Sequence, residues 1–86
     1  MKVFLPSPLH LYTKGVSPLE AEGATVDAVL KDLDRRHPGI RFRMVNEQDA
    51  LREHIRVFVG GEELRDLGRR LKPGDEVHVL QALSGG

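Results

Sequence analysis

The sequence contains no cysteine among its 86 residues. This absence excludes disulfide frameworks, thiolate metal sites and cysteine nucleophiles, and it fits a protein of the reducing cytoplasm. The formal net charge is zero, because 13 lysine and arginine residues balance 13 aspartate and glutamate residues. A protein that follows a phosphate backbone usually carries a basic excess, so we expect no nucleic-acid partner.

Long hydrophobic runs are also lacking. The apolar start over residues 1–5 ends at Pro6, which is too soon for a signal peptide or a membrane span. A chain of this length fits a single domain, and a domain of this size leaves little room for a deep, enclosed active site. We therefore expect one small cytoplasmic domain without a membrane partner.

The patterns of an autonomous enzyme do not occur in the sequence. The serines lack the surroundings of a nucleophile elbow, and no phosphate-binding or dinucleotide-binding glycine motif is found. No histidine stands at a metal-like spacing from another histidine or from paired carboxylates, so we interpret them as surface or helix-end residues. We expect a protein that is not an enzyme and has no cofactor of its own. The histidines are His10, His37, His54 and His78.

One stretch of the sequence has clear helical periodicity. Apolar residues recur at i, i+3, i+4 and i+7 from Val26 to Leu33, which is the spacing of a single helical stripe. Thr25 is an N-cap candidate, and the pair Pro38-Gly39 is a stop signal. The pattern predicts a helix over residues 26–37.

Alternation of apolar and polar residues predicts strands on both sides of this helix. We expect strands over residues 1–5, 16–22, 55–59 and 76–80, and a short return strand over residues 62–65. The first two strands should form a hairpin, and Pro18 should place the second at a sheet edge because it cannot donate to a ladder.

Residues 40–54 mix apolar and charged side chains, and we expect an irregular connection there with a helical turn near Asp49. One helix among these strands predicts an α+β fold, with a mixed sheet of four to five strands and the helix on one face. The predicted core consists of Val3, Leu5, Leu19, Val26, Val29, Leu30, Leu33, Ile55, Val57, Val59, Val77 and Val79.

The end of the sequence is unusual, because Leu83 and Ser84 are followed by Gly85 and Gly86. At a glycine usage of about 7%, two terminal glycines occur by chance roughly once in two hundred chains. A frayed or shortened end would account for them equally well. Residues without a Cβ also make a thin tail, which can enter a narrow channel and present its carboxylate. We expect a domain over residues 1–80 and a flexible tail over residues 81–86.

Three large apolar residues fall at the non-core positions of three predicted strands: Phe4, Phe58 and Leu80. If those strands are neighbours, the three side chains form one exposed patch, which usually indicates a partner surface. Single apolar residues scattered over a surface would need no such explanation.

Several segments together resemble the ubiquitin-like sulfur carriers. They are the helix start at residues 25–30 (TVDAVL), residues 57–64 (VFVGGEEL), residues 72–77 (KPGDEV) and the final Gly85-Gly86. That family includes the small subunit of molybdopterin synthase and the sulfur carriers of thiamin and cysteine biosynthesis. The resemblance covers essentially the whole chain, although family tails often carry a proline near the position of Gln81.

The resemblance implies a ubiquitin-like β-grasp fold and a carrier cycle. A ubiquitin-activating-type enzyme would bind the sheet face and use ATP to adenylate the carboxylate of Gly86. Sulfur would then replace AMP, and the resulting thiocarboxylate would deliver sulfur to a downstream enzyme of cofactor, cysteine or related biosynthesis.

Two other functions remain open at this point. The chain could be a ubiquitin-like modifier that is joined through Gly86 to target lysines, since that chemistry is shared up to the adenylate. It could also be a plain interaction module whose tail is incidental.

Overall fold

In the computed structural model, which describes residues 1–82, a mixed five-stranded sheet carries a helix on one face. The strands are β1 (Lys2–Phe4), β2 (Leu19–Glu20), β3 (Ile55–Val59), β4 (Glu62–Leu64) and β5 (Val77–Gln81). Their order is β2-β1-β5-β3-β4. β1 and β5 are parallel, and the other neighbours are antiparallel. The predicted α+β architecture is therefore confirmed.

The inner face of the sheet is a row of valines in direct register. Val77 on β5 pairs with Val3 on β1 and with Val59 on β3, and all three are buried against the apolar stripe of the helix. Alternation along each strand places these side chains inward because successive residues point to opposite faces. Every predicted core residue is buried except Leu19, which is only partly buried against the core.

Helix α1 (Val26–Arg36) matches its prediction to within one residue. The side chain of Thr25 accepts a hydrogen bond from the backbone nitrogen of Ala28 at 3.1 Å, as an N-cap should. The backbone nitrogens of Val26 and Asp27 donate to carbonyls of the loop that follows β4, at 3.1 and 2.9 Å. That loop therefore satisfies donors which a helix start leaves open.

The predicted irregular connection after α1 is wrong at its start, where a second helix, α2 (Ile40–Met44), forms. Ile40 and Met44 are both fully buried and stand four residues apart, so one side of this short helix packs into the core. The predicted helical turn near Asp49 is also wrong. The side chain of Asn46 instead accepts hydrogen bonds from the backbone nitrogens of Gln48 and Ala50, at 2.9 and 3.1 Å, which makes a polar turn.

The connection between β1 and β2 also differs from the predicted hairpin with a short linkage. The two strands do pair antiparallel, and β2 lies at the edge as expected. Between them runs a 3₁₀ helix (Ser7–Tyr12) that contributes Leu9 to the core. β2 itself is two residues long, which explains why Leu19 is not fully covered. The other core residues that the pattern did not predict are Ala21, Ile40, Met44, Val45, Leu51 and Leu64.

β5 continues one residue beyond the predicted strand, so Gln81 pairs with Ile55 of β3. Ala82 then donates its backbone N–H to the carbonyl of His54 at 2.7 Å. The predicted tail over residues 81–86 therefore begins inside the sheet, and its last four residues lie outside the described part of the chain.

Candidate docking site on the sheet

The outer face of the sheet brings the three predicted patch residues together. Phe4 on β1 and Phe58 on β3 both pair with His78 of β5, which lies between them. Leu80, two residues further along β5, points to the same face and is 50% exposed. We call Phe4, Phe58, His78 and Leu80 the sheet-face patch.

His78 is the member of this patch that the sequence interpretation did not include. Its imidazole stacks on the ring of Phe4, with 4.4 Å between the ring centres and 7° between the planes. A histidine that stacks in this way presents an aromatic face to solvent together with a polar edge. The signal was present in the sequence, since His78 precedes Leu80 by two residues on one strand and therefore shares its face.

Charged side chains border the patch along β3 and β4. Arg56 binds both carboxylate oxygens of Glu63, at 2.6 and 3.0 Å, and its guanidinium lies 5.4 Å from the ring centre of Phe58. The hydrogen bonds from Arg56 hold the pKa of the Glu63 carboxyl below its ordinary value. Just before β5, a carboxylate oxygen of Glu76 lies 3.5 Å from Nε2 of His78.

This arrangement is suited to association. The patch is aromatic and apolar at its centre and charged at its rim, which is the usual anatomy of a protein interface. Within residues 1–82, no cluster of acidic or histidine side chains could hold a metal ion. The described helices include none that is long and apolar enough to span a membrane.

The predicted tail residues, Leu83, Ser84, Gly85 and Gly86, lie outside the described residues. What the structure gives is their point of departure, the end of β5 in the middle of the sheet. Leu80 is the last patch residue before that point, so the patch and the start of the tail are continuous along one strand.

Comparisons with known proteins agree with this architecture. The ThiS family matches residues 8–86. The sulfur carrier protein CysO of Mycobacterium tuberculosis is 30% identical over 89 residues, which cover 98% of this chain and 96% of the relative.

Solved structures show the same fold over the full length. A chain in the crystal structure of the Amycolatopsis orientalis BexX/CysO complex superimposes with a TM-score of 0.91 at 38% identity, covering 99% of this chain and 98% of that one. SAMP1 from Haloferax volcanii, at 30% identity, gives a TM-score of 0.78 and covers 100% of this chain and 98% of that one. The ubiquitin-like β-grasp fold that the resemblance implied is confirmed.

Proposed function

We propose that this chain, which belongs to the ThiS family and is a sulfur carrier, holds its sulfur as a thiocarboxylate on Gly86. The observation that carries the proposal is the family match, because it extends through the two terminal glycines to residue 86. A CysO relative that aligns over 96% of its own length supports the same function.

The chemistry follows from the weakness of a carboxylate as an acyl donor. The Gly86 carboxylate attacks the α-phosphate of ATP, pyrophosphate leaves, and an acyl-adenylate forms. Sulfide-level sulfur, supplied at the activating enzyme, then attacks the carbonyl carbon of Gly86, the bond to AMP breaks, and the C-terminal thiocarboxylate forms. ATP and the catalytic groups belong to the enzyme, so the carrier contributes a reactive end and a docking surface. ATP chemistry of this kind fits the cytoplasmic location that the sequence predicts.

The sheet-face patch is the docking surface in this proposal. It consists of two phenylalanines, a stacked histidine and a half-exposed leucine beside the strand that leads to the tail. An enzyme that binds this face would have the tail directed along β5 into its active site. The BexX/CysO complex, in which a similar chain is crystallised with another protein, supports protein partners for this chain. The partners that we propose are first the adenylating enzyme and then the enzyme that takes the sulfur.

Shortening or changing the tail tests the proposal. With the adenylating enzyme, ATP and a sulfur source, the intact mass of the wild-type chain should show exchange of one oxygen for sulfur. Deletion of Gly86 should abolish that exchange, because the carboxylate would lie about 3.5 Å short of the phosphate, which is far outside reactive geometry. The melting temperature should stay unchanged, because a terminal glycine has no side chain to add to the core.

Gly86→Ala is the milder control. A methyl group beside the reacting carbon should slow adenylation and leave binding through the sheet face nearly intact. If neither variant changes the adenylation rate, Gly86 is not the working group and the proposal is wrong. If affinity and rate fall together, the tail serves mainly as an anchor.

A second candidate function is protein modification, which the likeness to small archaeal modifier protein 1 supports. Conjugation would begin with the same adenylate and end in an isopeptide bond to a target lysine. No lysine or arginine follows Lys72, so trypsin, which cleaves after these residues, would leave a long C-terminal segment of this chain on the target lysine. Such branched peptides in a tryptic digest of the native cell, absent after deletion of Gly86, would establish this function. If the chain were a plain interaction module, deletion of Gly86 would leave its function unchanged.

A further inference from the structure

A second candidate surface lies beside the end of β5. It is a groove of about 300 Å³ between the 3₁₀ helix, α2 and the last residue of β5. One wall is largely apolar and the other is polar and basic. We call it the tail-base groove, and its surface residues are Pro8, Leu11, Tyr12, Arg43, His54 and Gln81.

The tyrosine of this groove has two close neighbours. Nε of Arg43 donates to the Tyr12 hydroxyl at 2.5 Å, and the guanidinium lies 5.8 Å from the ring centre. A Cβ at Gly39 would stand 3.3 Å from the ring, and Gly39 has a φ of +97°, which a side chain rarely adopts. Because Tyr12 is already ordered, a partner would lose little side-chain entropy on binding it.

Two groups in the groove lack a covering contact among residues 1–82. Leu11 is 88% exposed, although it stands next to the ordered ring of Tyr12. The guanidinium of Arg43 hydrogen-bonds Tyr12 through Nε and forms no ion pair within the described part of the chain. The site therefore combines an uncovered apolar side chain with an exposed arginine.

The reach of the tail shows which kind of protein would approach the groove. Four residues separate Ala82 from the end of Gly86, and they span at most about 14 Å when fully extended. Any enzyme that takes the Gly86 carboxylate into its active site must therefore cover this end of the sheet. Gln81 of the groove follows Leu80 of the sheet-face patch on β5, and successive residues of a strand point to opposite faces. The groove therefore lies across the end of β5 from the patch, and an enzyme that encloses this end would contact both.

We propose that the tail-base groove receives a loop of the adenylating enzyme which carries an apolar side chain next to a carboxylate. The apolar side chain packs on Leu11 and Tyr12, and the carboxylate binds the terminal nitrogens of Arg43, which suit two-point contact with a carboxylate. This inference rests on the proposed function. It adds a second contact, which fixes the direction in which the tail leaves the domain.

Affinity measured without ATP tests the groove separately from the chemistry. In calorimetric titrations with the purified adenylating enzyme, Arg43→Glu should weaken binding at least tenfold and Leu11→Ser severalfold. The matched control is Arg70→Glu, an exposed arginine at the opposite end of the sheet, which should leave the affinity unchanged. Added sodium chloride should weaken wild-type binding more than Arg43→Gln binding, because screening acts on the ion pair. Unchanged melting temperatures would show that the variants are folded.

Pyrophosphate exchange on the same proteins separates the two proposals. If Arg43→Glu and the wild type bind the adenylating enzyme equally well, and pyrophosphate exchange still depends on Gly86, the proposed role of the groove is wrong and the proposed function stands. Binding that depends on Arg43, without any exchange by the wild-type chain, would support the groove and contradict the adenylation. If Arg43→Glu weakens binding to the sulfur-accepting enzyme and not to the adenylating enzyme, the groove does not receive the adenylating enzyme.

Discussion

The two faces of the sheet are made by the same strands and use different side chains. On the inner face, Val3, Val77 and Val59 meet α1 and are buried. One residue along each strand, the outer face carries Phe4, His78 and Phe58, which stay partly exposed. Small β-branched side chains fill a closed space well, whereas aromatic rings retain a large surface for association. One sheet therefore builds the core with one face and leaves aromatic rings partly exposed on the other.

A substitution on the inner face gives the largest expected effect on folding. Ile55 on β3 is fully buried, so Ile55→Ala should lower the free energy of unfolding by about 2–5 kcal/mol through lost burial and the cavity that remains. Urea denaturation followed by circular dichroism measures this change. Phe58→Ala, on the outer face of the same strand, should cost distinctly less. Equal losses of unfolding free energy for the two variants would contradict the difference between the inner and outer faces.

A charge in the outer face should act on binding instead. Phe58→Asp should weaken the affinity for the adenylating enzyme by about 2 kcal/mol or more, the scale of an interface hot spot, with a native circular dichroism spectrum. Lys31→Gln is the control, since it changes the charge by the same amount on α1, on the other side of the sheet. An unfolded Phe58→Asp variant would mean that this face is part of the core, and an unchanged affinity would remove the patch from the proposed function.

The smallest expected effect is that of low pH on the stability contributed by Asp27, which lies on the helix side of the sheet. Burial alone would raise the pKa of Asp27, but hydrogen bonds from Arg41 and Lys31 outweigh it and hold that pKa below its ordinary value of 3.8. The stabilisation from a lowered pKa is present above the ordinary value and is lost as the pH falls through the pKa in the fold. Asp27→Asn should therefore be less stable than the wild type at pH 7, and the difference should narrow below about pH 4.

The free energy of unfolding at pH 7 and pH 3 measures this narrowing. Glu47→Gln is the control, because Glu47 is exposed and outside the described ion pairs, and its difference from the wild type should be the same at both values. A constant difference for Asp27→Asn would show that the contacts with Arg41 and Lys31 do not depend on the charge of Asp27.

Much of the fold could be predicted because its signals are local. Helix α1 has a complete apolar stripe, a threonine cap and a Pro-Gly stop within one stretch of sequence. Helix α2 has two buried residues, and its first backbone nitrogens, on Gly39 and Arg41, donate to Asp34 of the preceding helix. A helix stabilised from another element carries little local signal, which is why the sequence indicated an irregular segment there.

The candidate site was likewise predictable only where its signals are local. Alternation along single strands correctly placed Phe4, Phe58 and Leu80 on the outer face. Strand order is not a local property, because β5 inserts between β1 and β3 from the far end of the chain. The position of His78 between the two phenylalanines therefore became visible only in the folded sheet, as did the groove that joins the 3₁₀ helix to α2.

The central position of β5 has a mechanical consequence. A pulling force on the chain beyond Ala82 loads the ladders to β1 and β3 along their length, so the hydrogen bonds of both would have to shear together. An edge strand such as β2, pulled away sideways, would instead separate one pair at a time. A carrier docked on an enzyme can thus have its end drawn taut into a narrow channel while the domain keeps its shape.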